Sequence, residues 1–176
     1  MLRAIFLGPK SFYLDFDAEG GLREPALFVL LISAVSGVLS VAANLVAMVL
    51  GAASASLLGV AASNLAFIML SPALVGVAAG MYLLSVRTFI GSEGRFREVY
   101  RMLAYAYGAM ILLPLPVLNA FAFTYTAMVL MGLGIWYVYR TSLLTALVTT
   151  LVGFVPMALA FIYFVGAVSS LVSSHG

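Results

Sequence analysis

Three stretches of this chain contain no Asp, Glu, Lys or Arg: Pro25 to Val86, Met102 to Tyr139 and Thr141 to Ser174. About 20 apolar residues are enough for a helix to cross the hydrocarbon core of a bilayer, so these lengths demand several crossings. The other structure able to span a bilayer, a closed barrel, needs strands of about ten residues that alternate apolar with polar. Runs such as ALFVLLISAVSGVLSVAANLVAMVL do not alternate and are rich in Leu, Ala and Met; helices are therefore expected. Composition agrees, with 65% apolar residues, 8% charged and a mean hydropathy of +1.20, whereas soluble domains carry roughly a quarter charged residues. The expected class is an all-α polytopic membrane protein.

Charge and length together place the spans. The first is expected at about 26–50. The second apolar run, 56–86, would be about 47 Å long as a single helix at 1.5 Å per residue, so a break, kink or partial re-entry is expected near Pro72. Cytoplasmic loops are enriched in Lys and Arg, which puts Arg87, Arg95, Arg97 and Arg101 on the same side as Arg3, Lys10 and Arg23. An even number of crossings must lie between them, hence one span on each side of GAASA at 51–55. A hairpin of two short spans follows, at about 100–118 and 121–139, turning near Leu118 to Ala120, and a last span at about 142–170 contains Pro156. Five transmembrane helices result, with a cytoplasmic leader at 1–24, the N-terminus cytoplasmic, the C-terminus outside and a short external tail at 172–176. All fourteen charged residues then lie on the cytoplasmic side, and the expected location is the cell membrane. No signal peptide is expected, because Arg3 interrupts the first short apolar stretch and Lys10 with four acidic residues precedes the first long one.

The segment GSEGRFREVYR at 91–101 holds Glu93, Arg95, Arg97, Glu98 and Arg101. Its simplest role is to hold orientation by resisting translocation. Beyond that, Arg87, Arg95, Arg97 and Arg101 are candidate contacts for anionic headgroups, each contributing about 1 kcal/mol near a membrane surface, or for a protein partner. Four Arg interrupted by two Glu lack the basic density of a nucleic-acid site.

Catalytic chemistry lacks its residues. The single histidine, His175, lies in the tail, no carboxylate side chain follows Glu98, and there is no cysteine. A serine hydrolase needs a base, a metalloenzyme converging ligands and a glycosidase two carboxyls. Non-enzymatic work is expected, without cofactor or metal. The spans also lack the ionisable residues of proton relays and voltage sensors.

Uncharged polar residues remain. Ser36, Ser40 and Asn44 recur every fourth residue and share one helix face, with Asn64 on the second span. Interhelical hydrogen bonding, at about 1 kcal/mol per contact, is the favoured role, and a polar substrate stripe the alternative. Gly76 and Gly80 form a GxxxG pair that suits close helix packing, as do Ala104 and Gly108. In the leader, Phe12, Tyr13 and Phe16 fall on one helical face, with Lys10, Asp15, Asp17 and Glu19 elsewhere. That pattern fits a short amphipathic segment on the inner leaflet or, equally, a tail ordered by packing.

In this order the chain resembles the Yip family, five-span membrane proteins named for interaction with Ypt/Rab GTPases. The resemblance rests on P-x-x-F at Pro9 to Phe12, Pro25 with ALFVLL opening the first span and G-S-x-G-x-F at Gly91 to Phe96. It also rests on Tyr105 and Tyr107, and on Pro114 and Pro116 closing the third span. The family's eukaryotic members are tied to vesicle trafficking and membrane shaping, and several carry a cytoplasmic D-L-Y-G-P segment. This chain has no such segment and is similar to the compact bacterial and archaeal members. The resemblance implies a non-enzymatic membrane protein that organises membrane or recruits a partner through its leader and the 87–101 loop, with a protein partner or a homo-oligomer expected. The alternative from another class is a small-solute channel or transporter lined by Ser36, Ser40, Asn44 and Asn64.

Overall fold

A computed structural model describes residues 2–14, 16, 20–51, 56–91, 94–115 and 118–173, with the side chains of 2–4, 160–162 and 164–173 left aside. Two short helices, α1 (Leu2–Leu7) and α2 (Pro9–Leu14), lead into α3 (Arg23–Val49) and α4 (Leu57–Phe89). Helix α5 (Phe96–Ala106) tightens into a 3-10 segment at Tyr107–Leu112. After a turn come α6 (Asn119–Thr124), a π-helical segment (Tyr125–Leu130) and α7 (Met131–Val138), then α8 (Leu143–Ser173). No strand occurs among the described residues.

Arg23–Val49, Leu57–Phe89 and the run Asn119–Val138 are long and apolar enough to cross a membrane, and Leu143–Leu159 is a shorter apolar helix. The chain is thus an all-helical membrane protein. Its helix starts follow from local chemistry: the Ser56 hydroxyl accepts from the Gly59 amide at 3.1 Å, and the Ser142 hydroxyl accepts from that of Thr145 at 3.1 Å. Each satisfies an orphan donor of a first turn. Pro9 occupies the first position of α2, where its missing N–H is no loss.

Pro72 does not break α4. Its ring removes the amide that would bond the Ile68 carbonyl, and the Ser71 hydroxyl donates to that carbonyl instead, at 2.8 Å. A single 33-residue helix thus runs through Pro72, with a neighbouring serine supplying the missing donor. The third helical stretch runs over 96–112 in place of the expected 100–118. The turn that follows takes in Leu118, whose amide donates to the Leu115 carbonyl at 2.9 Å, and Asn119 already opens α6, its side chain accepting from the Ala120 amide. Pro116 lies outside the described residues.

Helix α5 with its 3-10 extension forms the axis of the bundle: every residue from Val99 to Met110 is buried. Around it stand α3, α4, the α6–α7 run and the leader, while α8 lies against α4 and α7. Tyr82 of α4 seats its ring on Gly153 of α8, where an added Cβ would come within 2.5 Å of the ring.

Candidate functional site

Among the described residues, Arg87, Arg95, Glu98 and the Tyr139–Arg140 turn gather at one end of the bundle. Gly91 sits at φ +130, a region that disfavours L side chains, and a Cβ on Gly94 would come 2.7 Å from Val86 Cγ1. These two glycines let the chain fold back tightly from α4 into α5, which gives the G-S-x-G-x-F segment its physical basis. The Arg87 Nε donates to the Gly94 carbonyl at 3.4 Å. The Glu98 carboxylate accepts from the Arg95 amide at 3.3 Å, lies 3.9 Å from the Arg95 guanidinium, and accepts from the Tyr139 hydroxyl at 3.2 Å. That last bond ties the 94–98 loop to the turn between α7 and α8. Exposed Arg95 and exposed Arg140 are thereby brought to the same end of the molecule.

Arg87, Arg95 and Arg97 are exposed, but Arg101 is 4% exposed. Its guanidinium donates to the Gly21 carbonyl at 2.6 Å and lies 5.7 Å from the Tyr105 ring centroid, a cation–π distance. Grouping Arg101 with the surface cations is corrected accordingly: placed on the inward face of α5, it holds the leader and is out of reach of a headgroup. Spacing along α5 carries no sign of this, since Arg97 and Arg101 lie one turn apart on the same helix face and only the tertiary fold separates them.

The leader enters the bundle. Tyr13 is buried against Gly134, which Met102 also faces, with Phe12 and Phe16 packed beside it. Phe12, Phe16 and Phe28 surround Tyr105 with ring centroids 6.1, 6.1 and 5.6 Å away. The Tyr125 hydroxyl donates to the Ile5 carbonyl at 3.2 Å, and Lys10 Nζ lies 6.0 Å from the Tyr137 ring centroid. Burial pushes the Tyr13 hydroxyl far above the usual phenol range, so it stays protonated. Asp15, Asp17, Glu19, Glu93 and His175 lie outside the described residues.

The intramembrane polar side chains are largely occupied with holding helices. Ser36 donates to the Met110 carbonyl at 3.4 Å, and Ser33, one turn below, bonds the Tyr107 hydroxyl at 3.1 Å. The Asn44 amide donates to the Ser40 carbonyl at 2.9 Å, within its own helix. Asn64 lines an apolar groove between α3 and α4 with Gly37, Val41 and Leu45. The four residues are thus divided between a helix contact, a helix-internal bond and a groove wall. Close packing falls at other glycines than the GxxxG pair. A Cβ on Gly80 would meet nothing within 4 Å and one on Gly76 only Tyr100 at 3.8 Å, whereas Gly37, Gly134 and Gly153 are in tight contact. Sequence spacing offered no sign of these three, because their large partners lie on other helices.

Among the described residues no group of three or more histidine, aspartate or glutamate side chains converges as a metal-ligand set. Neither the curated proteins nor the solved structures gave a match. A family model, described as the Yip1 domain, matches residues 3–168. The match takes in the leader, the glycine-hinged Arg loop and the helical bundle, and the chain belongs to the Yip1-domain family.

Proposed function

We propose that this membrane protein threads the bilayer five times, with a cytoplasmic N-terminus and an external C-terminus, and that it works without catalysis as a membrane-organising or partner-recruiting component of the cell membrane. Its working face is the cationic end, where Arg87 at the end of α4, Arg95 before α5 and Arg97 in its first turn stand exposed around a loop braced by Gly94 and Glu98. The observation that supports this reading most is the Glu98–Tyr139 bond: it gathers the loop and the Arg140 turn at one end, as the positive-inside rule expects of a cytoplasmic surface. The short helical stretches over 96–112 and 119–138 serve as the third and fourth crossings, and α8 as the fifth.

Anionic headgroups are the nearest partners for that face, and a protein bound there would meet the same guanidinium groups. At about 1 kcal/mol per Arg, replacing Arg95 and Arg97 together by Gln weakens retention of an anionic lipid about 30-fold. Native mass spectrometry of the detergent-extracted protein titrated with phosphatidylglycerol measures this, and unchanged retention would refute the headgroup contact. Topology is tested separately. The chain has no cysteine, so a single Cys at Leu50 should react with a membrane-impermeant thiol reagent on intact cells, while one at Arg97 should react only after lysis. Against the solute-channel reading, Asn44→Leu and Asn64→Leu should leave the solute permeability of reconstituted vesicles unchanged.

A further inference from the structure

Two irregular segments, the 3-10 segment Tyr107–Leu112 and the π segment Tyr125–Leu130, meet the neighbours of two helix-interior prolines, Ser71 beside Pro72 in α4 and Met157 beside Pro156 in α8. Between them lies a cavity of about 110 Å³ whose wall includes Ser71, Tyr107, Thr126 and Ala78. Close-packed interiors leave few such voids, and an empty one forfeits dispersion contacts along its lining. The question is what fills it.

Water is poorly suited. A buried water needs two to four polar partners, and the three hydroxyls in the wall are all engaged elsewhere. Ser71 donates to the Ile68 carbonyl at 2.8 Å, Tyr107 bonds Ser33 at 3.1 Å and Thr126 donates to the Ala106 carbonyl at 3.4 Å. The Ala127 carbonyl, loosened by the π segment, is taken by the Tyr82 hydroxyl. What faces the cavity is therefore hydrocarbon. Its volume is below that of the about 150 Å³ apolar cavity that accepts a benzene ring, which suits a length of unbranched chain better than a ring.

The mouth points to the source. Leu74 is 37% exposed, and Phe67, Phe123 and Met157 at the rim are partly exposed. All but Met157 belong to the runs long and apolar enough to cross the membrane, Leu57–Phe89 and Asn119–Val138, so the opening looks into lipid. We propose that this cavity is a binding site for one bilayer-lipid acyl chain, whose terminal carbons enter past Leu74 and lodge against the Pro72 turn and the π segment. This is a lipid contact distinct from the headgroup contact at the Arg loop, and it does not depend on it.

The test uses the full chain in phosphatidylcholine vesicles containing a phosphatidylcholine with a diazirine near the methyl end of one acyl chain. After irradiation, peptide mapping should find label concentrated on residues 71–78 and 123–127, above the level on outward-facing Leu84 and Val129. Ala78→Phe, which fills the cavity from its own wall, should abolish that excess while labelling at Leu84 stays as it was. Leu74→Ala, which widens the mouth, should raise it, and provides a second arm if the Ala78 variant does not fold. Labelling at the cavity no denser than at Leu84, or unchanged in both variants, overturns the proposal. So does equal labelling by a probe whose diazirine sits in the headgroup, since that would make the opening a polar passage.

Discussion

Helix α5 and the far halves of α3 and α4 are opposites in composition and in burial. α5 contains Arg97, Glu98 and Arg101, yet its stretch from Val99 onward is wholly enclosed. Residues 38–49 of α3 and 57–70 of α4 contain no charge at all, and none of them is buried; Val49 is 80% and Leu58 83% exposed. In water that arrangement would be inside out. In a bilayer, lipid tails are as apolar as Leu, so exposing Leu or Val carries no penalty, and packing, hydrogen bonds and small residues decide which helix takes the centre. α5 takes it because its surroundings satisfy its polar groups: Gly21 receives Arg101, Ser33 bonds Tyr107, Pro72 offers its carbonyl to Tyr100 at 3.4 Å, and Thr126 caps Ala106.

This contrast can be attacked at four points, in decreasing order of effect. Gly153→Leu drives a side chain into the Tyr82 ring and should destabilise the bundle by about 3 kcal/mol, the upper range for overpacking, seen as a lower melting temperature in detergent. An unchanged melting temperature would mean that α8 does not hold α4 against the axis. Arg101→Ala removes a charged hydrogen bond to the leader, expected to weaken its docking by about 2 kcal/mol. Faster amide hydrogen exchange over residues 2–14, with α5 still protected, is the signature that separates loss of docking from loss of fold.

Tyr82→Phe leaves the Ala127 carbonyl without its donor and should cost about 1 kcal/mol, the scale of interhelical hydrogen bonds in membranes. Its readout is the same melting temperature, with the π segment free to relax. Gly80→Ala runs the other way. Nothing lies within 4 Å of the added Cβ, so reduced backbone freedom should make it neutral or stabilising by about 0.5 kcal/mol. A marked loss of stability there would place a close helix neighbour at the GxxxG pair, such as a second copy of the chain.

Much of the candidate site was legible along the chain. The Arg-bearing loop, its flanking glycines and the charge-free helices around it are one-dimensional patterns, and they survive in three dimensions. Two kinds of feature did not show. The first is how a proline's lost bond is made good: that the Ser71 hydroxyl donates to the Ile68 carbonyl beside Pro72 is a matter of one rotamer. The second is the inward or outward sense of a side chain, as for Arg101 against Arg97, or Gly153 against Gly80. Neighbours on other helices settle it.

By itself the sequence determined that this protein is helical, that it belongs in a membrane, and that its charges are confined to a few short segments, because burying a backbone and an ionised group in hydrocarbon leaves few alternatives. Only the tertiary structure decided that the charged helix α5 becomes the axis, that the leader docks through Tyr13 and Arg101, and that the irregular turns converge on one cavity. Hydropathy measures a residue against its solvent, and where the solvent is as apolar as the core, that measure cannot tell the inner face of a helix from the outer one.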